Sequence, residues 1–203
     1  MDEYLTQLIS YYSLPASVLD LLQANDSIRQ MHKGELLCPP NQPNTSLCFL
    51  QSGILRCFFI NSAGEDVTDA FLYHYGDVFS GNPNLFGQSQ DLCANAQAMS
   101  ACTLLTFDSE KMMSYVRETP ALLELSCRIL SQCYLGEWDH ERILSCPAEA
   151  RYRWFLNKYP GLIDHVVHGC IASFLGITPV TLSRVRKKLE REDAQNLSRE
   201  PDL

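Results

Sequence analysis

The chemistry that the residue types of this chain can support is concentrated between His168 and Leu189. There the order is Ile171-Ala172-Ser173-Phe174-Leu175-Gly176-Ile177-Thr178-Pro179-Val180-Thr181-Leu182-Ser183-Arg184-Val185-Arg186-Lys187-Lys188. A small residue, Ala172, allows a second helix to cross closely, and Gly176 permits the positive φ of a tight turn. Ile177, Leu182 and Val185 are spaced to fill the wedge between two helices. Thr178 is a helix cap and Pro179 suits a first helical turn, where its missing N–H costs nothing. The second helix then presents Val180, Thr181 and Ser183 near its start, followed by Arg184, Arg186, Lys187 and Lys188. Small groups at the leading end and cations behind them suit the major groove of DNA, with bases read first and phosphates held after. The reading assigns Pro179, Val180, Ser183 and Arg184 to bases, and Arg186, Lys187 and Lys188 to the backbone.

Such a pair of helices needs a platform, and the charge pattern says where it begins. The net charge of −8 is unevenly spread. Residues 1–146 carry 7 Lys+Arg against 17 Asp+Glu, whereas residues 147–192 carry 8 against 4. An acidic body repels a polyanion, so contact with nucleic acid is confined to the basic segment after Pro147. Before it lies a run from Pro120 to Pro147 without a strong helix breaker, enough for about seven turns. Leu122, Ser126, Ile129, Cys133, Gly136, His140 and Ile143 alternate spacings of four and three, the pattern of a coiled-coil seam. A second apolar stripe holds Leu123, Leu130, Tyr134 and Leu144. The seam residues Leu122, Ile129, Cys133, Gly136, His140 and Ile143 are assigned to the contact with the second copy in a homodimer, and the other face of the helix to its own chain.

Upstream, Tyr4, Leu5, Leu8, Ile9 and Tyr12 recur at helical spacing, and Pro15 opens another helical stretch through Val18, Leu21 and Leu22. From about residue 28 to about 107 the pattern becomes short β-rich runs such as 47–50, 55–60 and 67–72, separated by turn residues. Their even spacing indicates an antiparallel barrel or roll. Asp108 is a candidate N-cap for the return to helix.

Nine cysteines occur, at 38, 48, 57, 93, 102, 127, 133, 146 and 170, with no CxxC among them. Without close ligand pairs, reduced thiols and no metal site are expected. If Ser52-Gly53 is a two-residue hairpin loop, Cys48 stands opposite Cys57, a candidate redox pair. No nucleophile–base motif, phosphate loop or dinucleotide fingerprint occurs, so an enzyme is not expected. The start, Met1-Asp2-Glu3-Tyr4, has no basic leader, and no apolar run approaches the roughly 18 residues of a membrane span. A cytoplasmic protein without membrane contact is the expectation.

These features together resemble the Crp/Fnr superfamily of regulators. The residues that carry the resemblance are Gly53 with Leu55-Arg56, then Gly76-Asp77-Val78-Phe79, the long helix, and the ungapped stretch Ile171 to Leu189. The resemblance implies an α+β chain in three parts. Residues 1–118 would form a cyclic-nucleotide-binding-like jelly roll, 119–146 a dimerisation helix and hinge, and 147–203 a winged helix-turn-helix domain. Double-stranded DNA, RNA polymerase, a second copy and a small-molecule effector are the implied partners.

The departures from the family pattern lie in the effector pocket. Cyclic-nucleotide binders hold the ribose with a Glu and the phosphate with an Arg. Aligned through Gly81 and Leu85-Phe86, this chain has Asn82 in place of the Glu and Leu92-Cys93-Ala94 in place of Arg-Ser-Ala. A buried phosphate without its Arg loses charge-assisted bonds. The cyclic AMP pose is therefore not expected, and the effector is unassigned. The cysteine cluster of the oxygen-sensing branch is missing, and His74 resembles a haem ligand only loosely. A small-molecule or redox sensing module with vestigial DNA binding is the alternative reading.

Overall fold

The computed structural model describes residues 2–24, 26–38, 46–80 and 95–197, and divides into two compact units, 1–135 and 136–203. Among the described residues of the first unit, α1 (Asp2–Tyr12) and the short α2 (Leu19–Gln23) precede seven strands: β1 (Asp26–Met31), β2 (Ser46–Ser52), β3 (Leu55–Ile60), β4 (Asp66–Leu72), β5 (Val78–Ser80), β6 (Asn95–Ala98) and β7 (Cys102–Asp108). They form two antiparallel sheets, ordered β1-β7-β2-β5 and β4-β3-β6. The alternation of the strands explains the two cores. On β2 and β7, Phe49, Leu105 and Phe107 face a cluster with Leu5, Leu8, Tyr12, Leu122 and Leu125 of the helices. Their neighbours Cys48, Leu50, Cys102 and Leu104 face the other way, meeting Leu55, Cys57, Leu72, Ala96 and Ala98 of the second sheet. Each fully buried leucine contributes about 1.5–3 kcal/mol. The antiparallel roll is as the strand pattern indicated.

The hairpin between β2 and β3 is not. Gly53 (φ +97°) does make a turn, but the turn carries the chain from one sheet to the other. Cys48 pairs in register with Phe79 and Thr106, and Cys57 with Ala70 and Ala96, so the two are not cross-strand neighbours. Both thiols are buried, and burial pushes that of Cys48 up to about 12 and that of Cys57 upward too. Neither is poised as a thiolate at neutral pH.

Asp108 caps α3 (Ser109–Glu118), its carboxylate accepting from Lys111 N at 2.9 Å. Then α4 runs unbroken from Pro120 to Leu144. In the second unit, α5 (Ala148–Lys158), α6 (His168–Phe174) and α7 (Pro179–Leu197) enclose Tyr152, Phe155, Leu162, Ile171, Ala172, Phe174, Leu175, Leu182 and Leu189. Among its described residues this unit contains no strand, so the wing that the resemblance implies is not found there. The reason is local: residues 186–195 contain no Gly, Pro or β-branched side chain, and α7 simply continues.

Candidate nucleic-acid interface

The turn between α6 and α7 is built as its residues require. Gly176 sits at φ +60°. Thr178 Oγ1 accepts from Thr181 N at 3.1 Å, capping α7 with Pro179 at its first position. Ala172 is fully buried at the helix crossing, as are Ile171 and Leu175. Leu182 fills the wedge as expected, while Ile177 and Val185 are only half-buried. Ile171 and Phe174 of α6 and Leu175 at its end are buried too, and sequence reasoning gave none of them a role.

Arg151, not singled out from sequence, and His140, placed from sequence on the α4 seam, hold carbonyls at the end of α6. Arg151 of α5 donates to Leu175 O at 2.8 Å, to Gly176 O at 3.1 Å and to Cys146 O at 2.7 Å. His140 lies against Phe174, ring centroids 4.1 Å apart, with Nε2 2.7 Å from Phe174 O. A lone Arg or His carries no sequence signature for such a role, because helix carbonyls accept from any donor in reach.

On α7 the outward face separates the cations into two groups. Lys188 bonds Glu149 Oε2 at 2.5 Å and approaches Glu192 Oε1 at 3.7 Å; Arg153 joins the same two carboxylates at 3.3 and 3.0 Å. Hydrogen bonding from Lys188 holds the Glu149 carboxyl below the usual carboxylate range, and Glu149 holds Lys188 above its ordinary value. This network ties α7 to α5, so the cation assigned to phosphate from sequence is already engaged. Arg186 is similarly occupied by Glu190 at 3.0 Å and His168 at 2.9 Å. In contrast, Arg184 and Lys187 are exposed and make no ion pair among the described residues. Val180 is exposed to 60% and Ser183 is exposed as well, while Thr181 turns its hydroxyl back toward Thr178, 2.9 Å away.

Along α4 the structure separates the two stripes. Leu122 is buried in its own core and Ile129 packs against it, so the seam inferred through these residues is turned toward the same chain. His140 and Gly136, on that side too, meet Phe174 and the Lys158 ammonium end. Ile143 is half-buried. Cys133 is exposed, as are Leu123, Cys127, Leu130, Tyr134 and Trp138. Those last five recur at spacings of 4, 3, 4 and 4 and make the unburied apolar stripe.

The effector-pocket candidates Gly81, Asn82, Leu85, Leu92, Cys93 and Ala94 lie outside the described residues. His74 is exposed, its backbone N bonded to the Asp77 carboxylate at 2.7 Å. Among the described residues no group of three or more His, Cys, Asp or Glu could hold a metal ion, and no helix is long and apolar enough to cross a membrane.

The family profile of the cyclic nucleotide-binding domain matches residues 28–119. No curated protein matches the sequence. Among solved structures, FixK2 from Bradyrhizobium japonicum is similar at a TM-score of 0.69 and 17% identity, over 83% of this chain and 86% of that one. A protein from Eubacterium rectale assigned to the Crp/Fnr family is similar at 0.70 and 15%, over 90% and 86%. The c-di-GMP-responsive global regulator CLP of Xanthomonas campestris is similar at 0.68 and 17%, over 88% and 93%. Identities this low speak for the fold, and the fold spans both units of the chain. Residues 28–119 thus match the cyclic nucleotide-binding domain, and the chain shares its fold with these solved structures.

Proposed function

We propose that this protein is a cytoplasmic, homodimeric, sequence-specific DNA-binding transcription regulator that lays the start of α7 in the major groove. The observation that carries the reading is the division of labour on α7. Its inner residues and two of its cations are committed to the fold, while Val180, Ser183, Arg184 and Lys187 are outward and uncommitted. Arg184 has the planar donor fork suited to guanine O6 and N7, and Lys187 suits a phosphate. Val180 has no acceptor for a cytosine amino group, and a thymine methyl is its natural contact. Pro179 and Thr181 set the entry angle of the helix.

The second copy packs on the unburied stripe of α4, through Leu123, Leu130, Tyr134 and Trp138. A helix with two apolar faces and only one covered by its own chain requires that partner. RNA polymerase and a small-molecule effector complete the set of partners. The effector is not bound in the cyclic AMP pose, because Asn82 and Leu92 supply neither charged anchor.

The test is selection of bound duplexes from genomic DNA, followed by affinity measurements on matched and random sequences. Arg184→Ala should cost about 1–3 kcal/mol on the matched site and less on random DNA. Equal losses on both would make Arg184 a phosphate clamp and remove the base-reading role. Tyr134→Glu should shift the protein toward monomer in sedimentation; an unchanged dimer would place the interface elsewhere.

A further inference from the structure

We propose that Arg191 is an additional clamp for the backbone of double-stranded DNA, placed there by the uninterrupted continuation of α7; the inference rests on the DNA-binding reading above. Three observations lead to it. First, α7 is 19 residues long and runs to Leu197. At 1.5 Å per residue that is about 28 Å, more than twice the roughly 12 Å width of the major groove. A helix that enters the groove at Val180 therefore extends well past its rim.

Second, the helical rotation selects Arg191. Val180, Arg184, Lys187 and Arg191 are separated by 4, 3 and 4 residues, which keeps them on one stripe about 40° wide to either side. The buried Leu182 and Leu189 lie on the opposite side of α7. Arg191 thus shares the outward face of the proposed base readers, about 16 Å beyond Val180 along the axis. That distance brings its long side chain to the groove wall, where phosphates are the groups on offer.

Third, the charges around Arg191 leave it available. The described acids on either side of it are occupied: Glu190 by Arg186, and Glu192 by Arg153 and Lys188. Among the described residues Arg191 itself has no ion pair or hydrogen bond from its guanidinium, and it is exposed. Arg184, Lys187, Lys188, Arg191 and Glu192 line one groove on this surface. A guanidinium free of an intramolecular carboxylate can take a phosphate bidentately, at no cost in broken pairs. The same continuation that leaves no wing among the described residues supplies a cation from the recognition helix instead.

The experiment uses the full chain and two labelled duplexes, one selected from genomic DNA and one random, titrated by fluorescence anisotropy at several salt concentrations. Arg191→Ala should weaken both duplexes by the same factor and reduce the slope of log K against log salt by about one. Its deficit should therefore shrink about threefold between 50 and 200 mM salt. Arg191→Lys should restore the slope, and Lys111→Ala, a cation in the other unit, should leave it unchanged. An Arg191→Ala slope equal to that of the wild type, with Arg184→Ala still impaired on the matched site, overturns this inference alone. A loss confined to the matched duplex also overturns it, by making Arg191 a base reader. Wild-type protein that binds neither duplex at any salt overturns the DNA-binding reading together with it.

Discussion

Replacement of Gly53 by Ala separates two costs that the turn between β2 and β3 imposes. At φ +97° any L side chain is strained, which costs about 1–2 kcal/mol. A Cβ at this position would in addition overlap Ala101 O and come within 2.7 Å of Cys102 Sγ and 2.8 Å of Cys102 Cα. Two of those three atoms belong to backbone that enters β7, a strand paired on both sides, so they cannot retreat without disturbing the sheet. Overpacking of this kind adds about 1–3 kcal/mol. Gly64 is the control, because it has a similar φ of +81° and no atom within 4 Å of an added Cβ. With a urea m-value of about 2 kcal/mol/M, Gly64→Ala should lower the unfolding midpoint by about 0.5–1 M and Gly53→Ala by about 1–2.5 M. Circular dichroism should follow the transition, since both tryptophans, Trp138 and Trp154, lie in the second unit and would not report on the sheets. Equal midpoints for the two variants would show that the contacts around Gly53 cost nothing, and that the close packing of this turn against β7 has been misjudged.

The remaining expectations concern the second unit and the thiols. His140→Ala removes the contact with Phe174 O and the ring stack, and should destabilise the unit by about 1–3 kcal/mol; an unchanged thermal midpoint by tryptophan fluorescence would refute the role. The carboxyl of Glu149 is depressed by Lys188, so the network between α5 and α7 should be intact above the ordinary carboxylate range and be lost as pH falls through the depressed value. In Glu149→Gln that part of the acid sensitivity of the second unit should disappear; its persistence would exclude Glu149 as the source. Maleimide should label the exposed Cys127 in the native protein, whereas Cys48, Cys57 and Cys102 should react only on unfolding. Early labelling of Cys57 would show that the space between the sheets is open to solvent.

Much of the helix-turn-helix was legible because its determinants are neighbours in the chain. A cap acts within one turn, a glycine on its own φ, and the wedge repeats at helical spacing, so Gly176, Thr178, Pro179 and Leu182 could be assigned before any tertiary contact was known. Strand partners are another matter. Alternation shows that Cys48 and Phe49 face opposite ways, but the choice between a hairpin and a change of sheet at Gly53 depends on β7, about fifty residues away. The two stripes of α4 differ little in composition, and burial of Leu122 rather than Leu123 follows from the positions of α1 and the first sheet. Lys188 looks like any groove-facing cation until Glu149, thirty-nine residues earlier, is brought beside it.

The separation of duties on α7 has a consequence for how such a protein can change over generations. Positions 180, 184, 187 and 191 have no structural obligation that the fold must protect, and substitutions at exposed sites of this kind usually alter stability by no more than about 0.5 kcal/mol. On the proposed DNA-binding reading, a duplicated copy can therefore drift toward new operators one side chain at a time, without first acquiring compensating mutations in its core. Glu149, Arg151, Arg153 and Lys188 are bound by the opposite constraint. They fix α7 and the turn before it against α5, and on the same reading a lineage that lost them would lose its old and new targets together.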